Sequence, residues 1–384
     1  MSRLNELIQQ YCPDGVEYKK LGDVCELARG TRVVKKDLDA DGSYPVYQNS
    51  LKPLGYYDQF NRAEETTFII CAGAAGDIGY SKVKFWSADD CFSVICPETI
   101  SNRYIFYCLL SQQNRIYSQV RKASIPRLSH NAVEALLIPV PPLPVQEEIV
   151  RILDNFAELQ AELQAELQKR LQQYNYYRDK LLSFNDLNGG GYAVSVEWKK
   201  LKDVADFQYG YPFAAELFTE DDSFCPLIRI RDVKPGFTKT FYKGEVLPEY
   251  LIHEGDILVG MDGEFNLAKW KSADALLNQR VCKIRANKQN EVLDGFLYHY
   301  LRPLFKQIEA SIQGSTVKHL SAQKLNSITI PVPPLAEQKR IVDMLDRFDT
   351  LASDITAGLP AEIEARRKQY EYYRDQLLTF KHKA

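Results

Sequence analysis

The chain has 384 residues and is poor in the side chains on which most catalysis turns: five histidines, three methionines and three tryptophans. Its eight cysteines include no Cys-x-x-Cys spacing. That excludes the common zinc modules and a regular disulfide framework, leaving buried reduced thiols and no expected metal site. Also missing are a Gly-x-Gly-x-x-Gly loop, a P-loop, a His-Glu-x-x-His pair and a Gly-x-Ser-x-Gly elbow, so no catalytic residue is assigned. Gly73-Ala-Ala-Gly76-Asp-Ile-Gly79 comes nearest to a phosphate loop, but without the following Lys-Ser/Thr it reads as turns between strands. No signal peptide opens the chain and no apolar run approaches the ~18 residues of a membrane span, so a cytoplasmic protein is expected.

Charge of one sign is missing too. The net charge is −3, and residues 1–142 carry 16 Lys+Arg against 16 Asp+Glu. The counts are 5 against 8 over 143–186, 18 against 18 over 187–334 and 9 against 9 over 335–384. Bulk charge offers nucleic acid no attraction, so any contact must come from local clusters.

What the chain does have is repetition. Ile138-Pro-Val-Pro-Pro-Leu143 returns as Ile330-Pro-Val-Pro-Pro-Leu335, an offset of 192. Tyr174-Asn-Tyr-Tyr-Arg-Asp-Lys180 returns as Tyr370-Glu-Tyr-Tyr-Arg-Asp-Gln376, an offset of 196. Val16-Glu-Tyr-Lys-Lys-Leu21 returns as Val196-Glu-Trp-Lys-Lys-Leu201, an offset of 180. One architecture written twice implies a pseudo-twofold internal repeat, suited to a two-sided target.

Each half mixes element types. Thr67-Phe-Ile-Ile-Cys71, Phe92-Ser-Val-Ile-Cys96, Leu227-Ile-Arg-Ile-Arg231 and Asp256-Ile-Leu-Val259 read as strands, and Tyr104–Leu110 and Phe296–Leu301 as helices. After the first Pro-rich stop, apolar residues at steps of 3 and 4 from Ile149 to Phe184 mark one face of a long helix with a coiled-coil seam. The second copy keeps the rhythm from Ile341 to Phe380, with Gly358-Leu-Pro360 expected to kink or split it. Two helices this apolar on one face can cover each other, and antiparallel packing is the economical arrangement. The fold class is therefore α+β.

The cations do cluster locally. Arg29, Arg32 and Lys35 share one turn-rich segment; Arg121, Lys122, Ser124 and Arg127 share another. In the second half Arg229, Arg231 and Lys234 form one group, and Ser315, Thr316, Lys318 and His319 the other. The second and fourth groups match at the offset of 192, just before each Pro-Val-Pro-Pro junction. Such clusters are either solvated faces or sites of phosphate contact.

The duplicated Ile-Pro-Val-Pro-Pro-Leu, followed by Gln146 or Gln338 and then Ile-Val-x-x-Leu-Asp, resembles the signature of type I restriction–modification specificity subunits. So do Gln369-Tyr-Glu-Tyr-Tyr-Arg-Asp375 and the opening Tyr11-Cys-Pro-Asp-Gly-Val-Glu-Tyr18. The resemblance covers essentially the whole chain and is strongest in the helices. It implies two α/β target-recognition domains, residues 1–142 and 187–334, and two long antiparallel coiled-coil spacers, 143–186 and 335–384. Each domain would read half of a split site in double-stranded DNA. The helices would dock two methyltransferase subunits, with restriction subunits joining for cleavage and no membrane involved. Gln146, Ile149, Tyr177, Arg178, Gln338, Ile341, Tyr373 and Arg374 are the docking residues it implies. S-adenosylmethionine, and ATP with Mg for cleavage, would sit on those partners, and this chain would bind no cofactor. A self-contained adenine methyltransferase and a coiled-coil scaffold remain the alternatives. Against the first, no Asp/Asn-Pro-Pro-Tyr/Phe motif is present.

The first helix departs from the pattern with three tandem tetrads, Ala157-Glu-Leu-Gln, Ala161-Glu-Leu-Gln and Ala165-Glu-Leu-Gln168. One tetrad adds roughly 6 Å of helix and about 40° of rotation. A base pair adds about 3.4 Å of rise and a similar twist at about 10 per turn. Inserting a fourth tetrad should lengthen the unspecified gap of the target by one or two base pairs, one being the better match. Mapping of methylated sites in the variant reads the gap directly, and an unaltered gap with full activity would show that the helix is not the spacer.

Overall fold

The computed structural model describes residues 3–184, 196–312, 318–353 and 359–383. The chain divides into two compact units, Met1–Glu166 with Pro360–Ala384, and Leu167–Leu359. The spacers read from sequence are thus shared out between the units, for a reason visible in the packing. Val145, Ile149 and Leu153 are fully buried in the core of the first unit, and Ile341 and Leu345 in that of the second.

The first unit is built on a four-stranded antiparallel sheet, in the order Glu26–Arg29, Cys91–Ile95, Thr66–Ile70, Ile78–Ser81. Every residue of Thr66–Ile70 is buried, and the strand is paired on both sides. The second unit repeats the sheet as Ala205–Tyr209, Val281–Ala286, Ile257–Gly260, Leu267–Lys269. A parallel pairing recurs beside it, Val46 opposite Trp86 and Leu227 opposite Leu276. A two-stranded ribbon recurs as well, Tyr18–Lys20 with Leu137–Pro139 and Glu197–Lys200 with Thr329–Val332.

The expected strands and helices fall where the sequence places them, with one correction. The strand read over Leu227–Arg231 is Cys225–Ile228, and a short helix Ile230–Val233 follows. The chain turns because the Asp232 carboxylate accepts the Arg229 backbone N–H at 2.9 Å, offering the backbone an alternative to the ladder.

Leu143–Leu182 is one unbroken helix of 40 residues. Its counterpart is described as two, Leu335–Ser353 and Leu359–Leu377, with Pro360 in the first turn of the second, where a missing N–H costs nothing. Gly358 lies outside the described residues. Within the first unit Tyr373 stacks on Phe156, with centroids 5.5 Å apart. Tyr370, one turn earlier, lines a cavity of about 510 Å³ with Gln160 and Gln164, which lie later on the first helix. That order is the antiparallel sense. The tail closes onto the start of the same unit: Val16 pairs with His382, and the Tyr18 hydroxyl donates to the Phe380 carbonyl at 3.2 Å.

Each unit is fastened to its helix by a fully buried glutamine. The Gln146 amide accepts from the Ser101 N–H at 2.9 Å and donates to the carbonyls of Pro141 and Thr99, at 2.7 and 3.3 Å. Gln338 does the same with Leu293, Pro333 and Glu291, at 2.9, 2.7 and 2.7 Å. Leaving such a group unpaired in the core costs about 1–3 kcal/mol.

A second tie differs between the units. Tyr107 donates to Asp154 at 2.5 Å, whereas at the matching position His299 meets Asp346 at 2.9 Å. The His299 ring is fully buried, and its Nδ1 has no hydrogen-bond partner among the described residues. Burial holds the imidazole below its ordinary value, with the Asp346 hydrogen bond acting the other way. The folded state thus prefers neutral His299, so the unfolded chain takes the proton first. This contribution to stability is present at neutral pH and is lost as pH falls below about 6.5. His299→Tyr, which copies the first unit, should flatten the decline in unfolding midpoint between about pH 7.5 and 5.5. Equal slopes in the two proteins would remove His299 from the account.

Candidate nucleic-acid interface

In the first unit the strand Thr66–Ile70 runs into a turn at Cys71-Ala72-Gly73. Gly73 takes φ +86, a conformation open to glycine and strained for other residues. The segment Arg121–Arg127 docks on this turn through its backbone. Arg121 and Arg127 exchange N–H to carbonyl bonds of 2.8 and 3.2 Å, closing the neck of a small loop. The Gly73 N–H donates to the Pro126 carbonyl at 3.2 Å, and the Leu128 N–H to the Cys71 carbonyl at 2.9 Å. All seven residues of the loop are exposed.

The same clip recurs in the second unit. Asp262 pairs with His319, the Gly263 N–H donates to the Lys318 carbonyl at 2.8 Å, and the Leu320 N–H to the Met261 carbonyl at 2.7 Å. Gly263 has φ +73. The loop's seat belongs to the fold, while its side chains differ from unit to unit.

Of the predicted cations, Arg29 and Arg127 come together. The Arg29 Nε donates to the Asp89 carbonyl at 3.1 Å. That carbonyl also lies 3.9 Å from Cys71 Sγ, and Arg127 bridges to Ala72, so both cations flank this turn. Burial and then the Asp90 carboxylate push the Cys71 thiol up to about 11, with the two guanidiniums acting the other way. Arg121, Lys122 and Ser124 lie in the loop itself and are exposed. Arg32 and Lys35 are exposed in the segment that follows Gly30.

The second unit handles its cations differently. The Lys318 ammonium donates to the Glu309 carbonyl near the end of helix Asp294–Ser311, at 2.7 Å. His319 Nδ1 lies 2.5 Å from Asp262, which also meets Arg280 at 3.3 Å. Lys318 and His319, expected as free phosphate ligands, are therefore engaged within their own unit. Asp262, at the place that Ala72 holds in the first unit, accounts for the His319 contact, while Lys318 is held by a main-chain carbonyl instead. Arg231 lies 3.8 Å from Asp232, and its guanidinium reaches the Thr240 hydroxyl at 3.4 Å. Arg229 is half-buried before the short helix. Lys234 is exposed; it acts on Glu264, whose carboxyl the Asn266 hydrogen bond and then Lys306 hold below the usual range. Ser315 and Thr316 lie outside the described residues.

The expected docking residues divide sharply. Gln146, Ile149, Gln338 and Ile341 are fully buried. This corrects the reading of them as a partner surface: their atoms hold the helix to its own unit, and none is offered outward. Tyr177 and Tyr373, in contrast, are each 40% exposed, beside Tyr176 at 62% and Tyr372 at 61%. Tyr176 and Tyr177 meet edge to face at 5.4 Å, as Tyr372 and Tyr373 do at 5.5 Å. Arg178 pairs with Asp179 at 2.7 Å and Arg374 with Asp375 at 2.8 Å. The motif Tyr-x-Tyr-Tyr-Arg-Asp thus presents the same outward face twice. Tyr176 and Tyr372 stand in the same repeated motif as Tyr177 and Tyr373, one residue earlier.

All eight cysteines are free, no group of metal ligands forms among the described residues, and none of their helices is long and apolar enough to cross a membrane.

A unit written twice, each copy with a loop on a backbone clip and a helix bearing one aromatic face, defines a class of paired recognition chains. The type I restriction modification DNA specificity domain matches residues 13–173 and 194–365. The chain belongs to that family. It is 30% identical to the specificity subunit of the EcoR124I/EcoR124II type I restriction enzyme of Escherichia coli, over 99% of this chain and 97% of that one. It is 31% identical to a putative type I restriction enzyme specificity subunit of Haemophilus influenzae, over 95% and 96%. A crystal structure of the S subunit of a type I restriction–modification system from M. genitalium matches the fold with a TM-score of 0.61 at 16% identity, covering 95% of this chain and 96% of that one.

Proposed function

We propose that this chain is the DNA sequence-recognition subunit of a type I restriction–modification complex, non-catalytic in itself. Each unit reads one half of a split target in double-stranded DNA, and the helices hold two copies of a methyltransferase subunit. The recurrence of one backbone clip under two loops of different sequence carries the reading. A fixed seat with variable side chains is what two half-sites of different sequence demand. S-adenosylmethionine, and ATP with Mg for cleavage, belong on the methyltransferase and restriction partners in this reading.

Replacing residues 16–138 by the same segment of a relative should change one half of the methylated sequence and leave the other half as it was. Sequencing the methylated sites of a host that carries the chimera with its partner subunits gives the answer. A change in both halves would refute the assignment of one unit to each half-site.

The docking half of the proposal rests on the twin aromatic faces. Two like surfaces, each led by a tyrosine more than half exposed, suit two copies of one partner, since buried aromatic anchors dominate most interfaces. Tyr176→Ala and Tyr372→Ala should each reduce the bound methyltransferase from two copies to one, and the double variant should bind none. Native mass spectrometry of the assembled complex counts the copies, and two retained copies in the double variant would move the docking site elsewhere.

A further inference from the structure

The Arg121–Arg127 loop holds one residue that its charge does not explain. Ile125 is 54% exposed, and it lies among Arg121, Lys122, Ser124 and Arg127 in a segment with no core of its own. Its backbone is nevertheless held firmly. The neck bonds between Arg121 and Arg127 close the loop, and the Pro126 carbonyl, one residue on, accepts the Gly73 N–H at 3.2 Å. Pro126 also biases Ile125 toward extended backbone. A β-branched side chain has few rotamers left to lose, so an apolar group is displayed here at low entropic cost of binding. The sequence repeat sets Val317 at the matching place, an offset of 192 (317 − 125), so a β-branched aliphatic residue is written at this point of both halves.

An isoleucine makes no hydrogen bond to phosphate, and among a base's groups in the major groove its natural partner is the 5-methyl of thymine. The flanking cations supply the phosphate contacts that would bring such a side chain to a base edge. We propose that Ile125 is a specificity-determining residue: it reads a thymine, through its 5-methyl group, in the half-site bound by the first unit. This rests on the reading of the chain as a DNA-recognition subunit.

The test uses the complex assembled with its methyltransferase partners, with binding measured across a range of salt. Ile125→Ala should weaken the cognate duplex about fivefold, leave a duplex with that half-site scrambled unchanged, and keep the salt slope. In the wild type, replacing one thymine of the half-site by deoxyuridine should cost the same factor, and the two losses should not add. Lys122→Ala is the contrasting variant: it should weaken both duplexes alike and lower the slope by about one. Equal losses on cognate and scrambled DNA for Ile125→Ala, no loss at all, or no thymine whose methyl group matters would overturn the assignment while the recognition reading stands. A wild-type complex that fails to discriminate either scrambled half-site would overturn both.

Discussion

A buried amide holds each half of this protein together. Gln146 and Gln338 each use both ends of the side chain within the core, accepting one backbone N–H and donating to two backbone carbonyls. The groups they join are the start of a globular helix, the loop before it, and the Pro-rich entry to the long helix. Proline supplies no N–H at that entry, so its carbonyls need partners from a side chain. Once the amide is in place, the direction of the long helix relative to its own sheet is set. The apolar ladder of Ile149 and Leu153, or of Ile341 and Leu345, then packs without slack. Interiors tolerate little misfit, which makes this joint the natural reference from which every other placement in the unit is measured.

The two units show which parts of the architecture are constrained and which are free. Glutamine brackets, sheet order, ribbon and loop seat all recur. The tie at Tyr107 and His299 keeps its aspartate but exchanges a phenol for an imidazole. The loop seat keeps its glycine but exchanges Ala72 for Asp262, and with it a loop of exposed cations for one whose cations are partly neutralised. Equal folds therefore carry unequal electrostatics.

Much of this was legible in the sequence. The repeat, the α+β character and the long helix follow from offsets and periodicity, because packing against a common partner demands the same residues at the same steps. The loop at Arg121–Arg127 was legible as a loop, since that segment is turn-rich and polar. What periodicity could not show was the fate of polar residues. Gln146 reads as a surface residue because burial of an amide depends on carbonyls that come from elsewhere in the chain, Thr99 among them. Lys318 reads as a free cation because Glu309, whose carbonyl it caps, is near only once a helix has formed. Arg280, at φ +69 and paired with Asp262, carries no local signal at all.

The main-chain bonds that seat the loop, through N–H groups and carbonyls that every residue except proline carries in full, recur in both units. Stability of the seat is therefore nearly blind to which side chains the loop displays. Selection acting on what the loop contacts can proceed without a matching toll on foldability, which elsewhere limits how fast an interface diverges. Having two such seats in one polypeptide squares the effect, since each can drift while the other holds its sequence. The architecture thus favours rapid invention of new address pairs from a fixed frame, by exchange of segments between lineages as readily as by point mutation.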